Sequence, residues 1–129
     1  MTVKMLLKLY EVRGKNPAVL NEWVKIERYL PFAEKDSLVK DVLRSTFEYR
    51  DENGGLKSYS AVRSKVFTEK MLASYTNIEV DSQTYDSLAE AGILLPILRL
   101  IGDEYEMCSK MLSAYLDDII NGFVTLEDL

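Results

Sequence analysis

Apolar positions along this chain recur mainly at the three-to-four-residue spacing of helices, interrupted at short intervals by Gly, Pro and Asn. Val3, Leu6, Leu7 and Tyr10 fall together on an opening helix within residues 1–15, and Gly14 suits its C-terminus. Asn16-Pro17 then forms a helix-start pair, with Asn as cap and Pro in the first turn. From Trp23 to Leu30 the pattern changes: Trp23, Lys25, Glu27 and Tyr29 alternate with Val24, Ile26, Arg28 and Leu30. An extended segment and the tail of a helix from Pro17 both fit that stretch. Pro31 pushes Leu30 out of helical dihedrals and opens the next helix, whose stripe is Leu38, Val39, Val42 and Leu43.

Asn53-Gly54 is the strongest local turn signal in the chain. Its flanks, Phe47-Glu48-Tyr49 and Leu56-Lys57-Ser58-Tyr59, fit a small hairpin near residues 47–59; an exposed loop between helices is the competing reading. Ser60 suits the cap of a helix with Val62, Val66, Met71 and Leu72 inward and Phe67 and Tyr75 flanking, stopping near Asn77. Asp81 or Ser82 opens a shorter helix through Tyr85, Leu88 and Ala89, which Gly92 closes. Residues 93–101 are apolar on nearly all sides apart from Arg99, the mark of a central helix. After Gly102, Asp103 caps a last helix from about Glu104 to Asn121, with Met107, Met111, Ala114, Tyr115, Leu116, Ile119 and Ile120 as its apolar positions. Gly122 ends it, and residues 123–129 read as a loose acidic tail. The expectation is an all-α (mainly α) fold: one domain over residues 1–129, a compact bundle of five or six helices with the 47–59 hairpin as an option.

Composition sharpens the functional side of this picture. At 129 residues the chain has the size of one domain, and 47% apolar with 29% charged residues is a globular composition. The longest apolar run is far below the ~20 residues that a membrane span requires, so no membrane partner is expected. The first twelve residues show no cleavage signal of a secretory leader. There is no His, which removes the commonest acid/base group and rules out Ser-His-Asp and Cys-His nucleophile systems. The single Cys, Cys108, rules out an internal disulfide and a paired-thiolate metal site. It reads as a small core residue. No catalytic, cofactor-binding or metal-binding residue is expected, and the chain reads as a non-enzyme of the cytosol.

Charge is divided unevenly. Residues 1–73 hold 14 Lys or Arg against 10 Asp or Glu, while residues 74–129 hold 2 against 11, giving balances of +4 and −9 within the total of −5. A polarised surface follows if the halves form separate faces; the simpler reading is an acidic surface that maintains solubility. No basic cluster rises above its acidic neighbours, so direct nucleic-acid binding is not expected.

Few side chains carry a site reading. Asp103, Glu104 and Glu106 have the composition of an acid/base or Mg²⁺ cluster, yet acidic residues in a first helical turn are what the helix dipole favours. Asp117-Asp118 lies in a late turn where the dipole disfavours it, and with Glu127 and Asp128 it makes an acidic end that suits a basic partner. Asp51-Glu52-Asn53 lacks the ligand spacing of a calcium loop, and Gly54-Gly55 lacks the Lys-Ser/Thr of a phosphate loop. Among the aromatic residues, Trp23, Tyr10, Tyr29, Tyr49 and Tyr59 are candidate contact anchors, because aromatic side chains dominate interface energies. The competing role is to cover a small core with the hydroxyl at the water boundary. Trp23, Tyr29, Tyr49, Tyr59, Asp117 and Asp118 are the candidate interaction residues.

Three stretches taken together, Tyr29 to Lys35 (YLPFAEK), Tyr75 to Val80 (YTNIEV) and Ile101 to Tyr105 (IGDEY), resemble small proteins encoded by tailed bacteriophages and prophages of Gram-positive bacteria. The resemblance spans residues 23–121 and rests on helix boundaries. It implies a viral protein of the host cytoplasm or virion, used in virion assembly, at the head–tail connection or in host interaction. Its partners would be phage structural proteins, a host protein or further copies of itself. A different class also fits the acidic second half: a small inhibitor of a host defence nuclease (anti-CRISPR or anti-restriction type) that occupies a nucleic-acid groove.

Overall fold

A computed structural model describes residues 1–49 and 56–129. Among them are seven α-helices: α1 (Val3–Val12), α2 (Ala18–Trp23), α3 (Phe32–Thr46), α4 (Ser60–Tyr75), α5 (Thr84–Glu90), α6 (Leu94–Ile101) and α7 (Asp103–Ile120). The chain is mainly helical as expected, with seven helices instead of five or six. Two three-residue segments, β1 (Phe47–Tyr49) and β2 (Leu56–Ser58), pair antiparallel with Phe47 opposite Ser58. The turn expected at Asn53-Gly54, and with it the Asp51-Glu52-Asn53 loop, lies outside the described residues. Paired segments are thus all that the structure describes of the optional hairpin.

The backbone gathers into two compact units, one from Met1–Tyr29 with Thr68–Tyr105 and one from Leu30–Phe67 with Glu106–Leu129. In the first, α1 meets α2 and α5, and α6 meets α5 and α2. Leu6, Leu20, Met71, Leu72, Leu88 and Ile97 are buried there. Thr2 caps α1 by accepting the Met5 amide at 3.1 Å. Asn16 accepts the Ala18 amide at 3.0 Å and so opens α2, while Pro17 stands just before the helix. The helix ends at Trp23, and Val24 is already extended (φ −88°, ψ 113°). Of the two readings for residues 23–30, the extended one thus holds for the stretch after α2: Ile26 bridges Thr76 and the Glu27 amide donates to the Tyr75 carbonyl at 2.8 Å. The chain at the exit of α4 supplies partners that helix propagation would otherwise supply.

The α5–α6 corner shows why Gly92 marks a boundary. Its amide donates to the Ala89 carbonyl and the Ile93 amide to the Leu88 carbonyl, both at 3.0 Å, which closes the helix only with Gly92 at φ +76°. Asp81 accepts the Gln83 amide at 2.8 Å in a turn that precedes α5, and the helix itself starts at Thr84, later than the expected Asp81 or Ser82. α6 corrects the central-helix expectation. Ile93, Leu94, Ile97, Leu98 and Ile101 are buried, but Leu95 is 61% exposed. The helix is amphipathic, with one apolar side chain on its outer face.

In the second unit α3 buries the expected stripe of Leu38, Val39, Val42 and Leu43. Pro31 takes the cap position (ψ 152°) rather than the first turn. α4 contributes residues to both units, and its face is rotated from expectation. Val62 is 51% exposed, whereas Phe67, Met71, Leu72 and Tyr75 are buried, so Phe67 and Tyr75 are core positions rather than flanks. On α7 Cys108 is buried as expected, yet Met107, Ala114 and Ile120 are exposed and Met111, Tyr115, Leu116 and Ile119 are only half-buried. No residue of α7 beyond Cys108 is buried, which corrects the apolar list given for that helix. The C-terminal residues expected as a loose tail hold a 3₁₀ turn (Leu126–Asp128), closed by reciprocal bonds between Thr125 and Asp128. Arg44 of α3 donates to the Leu129 carbonyl at 2.7 Å.

Candidate functional site

The candidate residues sit on different elements, and each unit holds part of the set. In the first unit Trp23 closes α2 and Tyr29 lies beyond the extended stretch; both are exposed. The backbone that carries them is fixed by Asn77. Its Oδ1 accepts the Lys25 amide at 2.9 Å and its Nδ2 donates to the Trp23 carbonyl at 3.3 Å. The Asn77 carbonyl accepts the Met1 ammonium at 2.8 Å, and the Met1 carbonyl accepts the Glu79 amide at 2.8 Å. The exit of α4 is thereby stitched to two other stretches of the unit. The sequence marked Asn77 only as a helix stop; a side chain that mimics a backbone pair across 52 residues leaves no local signal.

Tyr10, the remaining aromatic candidate of this unit, is half-buried and lines a cavity of about 330 Å³ with Leu7, Glu11, Lys15, Glu90 and Ala91. A second cavity of about 470 Å³ is bordered by Tyr85, Ala89, Gly92, Leu94, Leu95, Pro96 and Arg99. Neither gathers the six candidate interaction residues. The acidic trio at the start of α7 is divided: Asp103 and Glu106 are exposed, while Glu104 is buried and its Oε1 accepts the Tyr75 hydroxyl at 3.1 Å. Among the described residues no group of three or more carboxylate or thiol side chains is arranged to hold a metal ion. No described helix is long and apolar enough to cross a membrane.

In the second unit Tyr49 belongs to β1, and Tyr59 stands exposed just before α4. Asp117 is exposed and Asp118 half-buried on the last turns of α7. Both are followed by exposed Ile120 (71%) and Phe123 (78%). Phe123 was not among the expected contact residues, because it was assigned to the tail. Its amide in fact donates to the Asp118 carbonyl at 2.9 Å, and the Gly122 amide to Ile119, so the chain leaves α7 in a defined direction.

Asp36, Lys40 and Tyr115 make the unit's clearest polar cluster. Asp36 accepts the Tyr115 hydroxyl through Oδ1 and pairs with Lys40 through Oδ2 at 2.9 Å, and the ammonium lies 5.7 Å from the Tyr115 ring centre. Burial pushes the Asp36 carboxyl up, but the Tyr115 and Lys40 hydrogen bonds and the ammonium charge outweigh it and hold the group below the usual carboxylate range. The bond to Asp36 raises Lys40, and the same carboxylate, with burial, raises the Tyr115 phenol. For Asp36, a depressed folded value means a stabilising contribution that is complete above the unfolded carboxylate range and lost as pH falls through the folded one. Asp36→Asn is accordingly expected to lower stability by about 1 kcal/mol at neutral pH, one solvent-discounted hydrogen bond. The deficit should shrink towards ~pH 3, below the usual carboxylate value of ~3.9, as read from urea midpoints at the two pH values. A deficit that persists unchanged in acid would sink this account.

No protein-family model, curated protein or solved structure matches the chain.

Proposed function

We propose that this chain is a non-enzymatic, phage-encoded structural or assembly protein, working by protein–protein contacts in virion morphogenesis or at the head–tail connection. The supporting observation is the exposure of Trp23, Tyr29 and Tyr59: each anchor candidate whose side chain is described, Tyr10 aside, faces solvent. Large aromatics are the side chains that contribute most to interfaces when a partner covers them. The phage-like stretches at residues 29–35, 75–80 and 101–105 support the viral origin, and the lack of any His supports a role without general acid/base chemistry. In this reading the protein acts in the host cytoplasm or in the virion, with phage structural proteins as partners.

The acidic balance of residues 74–129 favours a second reading, inhibition of a host nuclease by occupation of its nucleic-acid groove. One experiment separates the two: mass spectrometry of purified particles beside affinity capture from infected host lysate at low and high salt. Presence in particles, or capture of capsid and tail proteins, is the expected result. Absence from particles together with salt-sensitive capture of a host nuclease would replace the assembly reading with the inhibitor.

A further inference from the structure

Two exposed helix surfaces of this chain are complementary to each other. On α1, Met5 (56% exposed) and Val12 (73%) lie seven residues apart on one face, about 10 Å along the axis. Exposed Lys4, Lys8 and Lys15 flank them, against one exposed acid, Glu11. Leu6 fixes the opposite side of the helix in the core, so this face cannot turn inward. At the end of α7 the pattern has the opposite sign. Ile120 and Phe123 are exposed, Asp117 precedes them on the exposed side and half-buried Asp118 is beside it. Exposed Glu127 and Asp128 follow, and the nearest base on that helix, Lys110, stands two turns back.

From this complementarity we infer that the α1 face of one copy receives the α7 end of a second copy. Ile120 and Phe123 cover Met5 and Val12, and Asp117 and Asp118 meet Lys4 and Lys8. Each surface is acidic or basic on one helix only, so neither pairs with itself, and the contact is heterologous: every copy retains one donor and one acceptor surface, and addition continues into a closed ring or an open filament. Like charge opposes α1-to-α1 and α7-to-α7 pairing and sets the direction of addition. This deepens the assembly reading and fails separately from it. A chain found in particles but monomeric in solution loses this contact and retains the role.

The test uses two charge-reversed full-length variants, Lys4→Glu/Lys8→Glu and Asp117→Lys/Asp118→Lys, in light scattering and sedimentation. The wild-type chain is expected to associate at concentrations up to roughly 200 μM, a weak contact on the affinity scale. That association should weaken as salt rises from 0.1 to 1 M and the screening length falls from about 10 Å to about 3 Å. Each variant alone is expected to associate at least about tenfold more weakly, because both its surfaces then carry the same sign. An equimolar mixture of the two restores opposite signs at every contact and with them the association. Phe123→Ala, which alters only an exposed side chain, should also weaken association at least about tenfold. A wild-type chain that stays monomeric, variants that associate as before, or a mixture that fails to recover would each overturn the inference.

Discussion

Ile97→Ala is expected to destabilise the protein by about 2–5 kcal/mol, whereas Leu95→Ala two residues earlier should stay within about 0.5 kcal/mol of wild type. Both changes remove aliphatic side chains from the same helix, so local helix propensity does not separate them. Ile97 is fully buried and Leu95 is 61% exposed. Truncating the first removes its apolar burial and leaves a cavity in a closely packed interior, while truncating the second changes little beyond solvent-exposed area. Thermal and urea unfolding followed by circular dichroism read both directly. Equal losses at the two positions would mean that α6 is buried all round, as its composition alone suggests, and that its assigned orientation is wrong.

Tyr75→Phe is expected to cost about 1–3 kcal/mol, although it removes a single oxygen atom. The hydroxyl is the donor at 3.1 Å to a carboxylate oxygen of Glu104, and both residues are buried. Taking away the donor leaves an acceptor in a poorly solvated place with one bond fewer, and the ring still fills its space, so the loss isolates the polar term from packing. The matching control is Tyr59→Phe, whose ring is half exposed and whose loss should be within about 0.5 kcal/mol. Urea midpoints for the two variants give the comparison; indistinguishable midpoints would show that the Tyr75–Glu104 bond contributes nothing net.

These contrasts mark where the sequence could be read and where it could not. Boundaries were legible because local chemistry sets them: Gly92 provides the positive φ that ends α5, Asn16 offers the acceptor that starts α2, and Pro31 stops the preceding stretch. The inward stripe of α3 was legible because Leu38, Val39, Val42 and Leu43 recur at helical spacing, whereas the buried Lys35 and Thr46 that extend it carried no apolar signal. Rotation failed where apolar residues surround the helix. In α4, Val62 and Val66 compete with Phe67 and Met71 for the inner face, and the larger side chains occupy it because they remove more area from water. In α7 the apolar positions run on into turns that are only partly covered, and that distinction belongs to tertiary structure. Exposed aromatic positions were partly legible: residue type marked Trp23, Tyr29 and Tyr59, all of which are exposed. Phe123 was missed because its exposure depends on how the chain leaves Gly122. In the Asp36 cluster only the four-residue spacing to Lys40 is local. Tyr115 joins across 79 residues and no periodicity announces it.

Cys108 makes the second unit observable without added probes. It is the only thiol in the chain and is fully buried on α7. A thiol-specific reagent therefore reacts only when that part of the molecule opens, and its labelling rate under native conditions becomes a clock for that opening. Run at concentrations below and above those at which the inferred contact would form, the same clock tests whether association holds the helix closed.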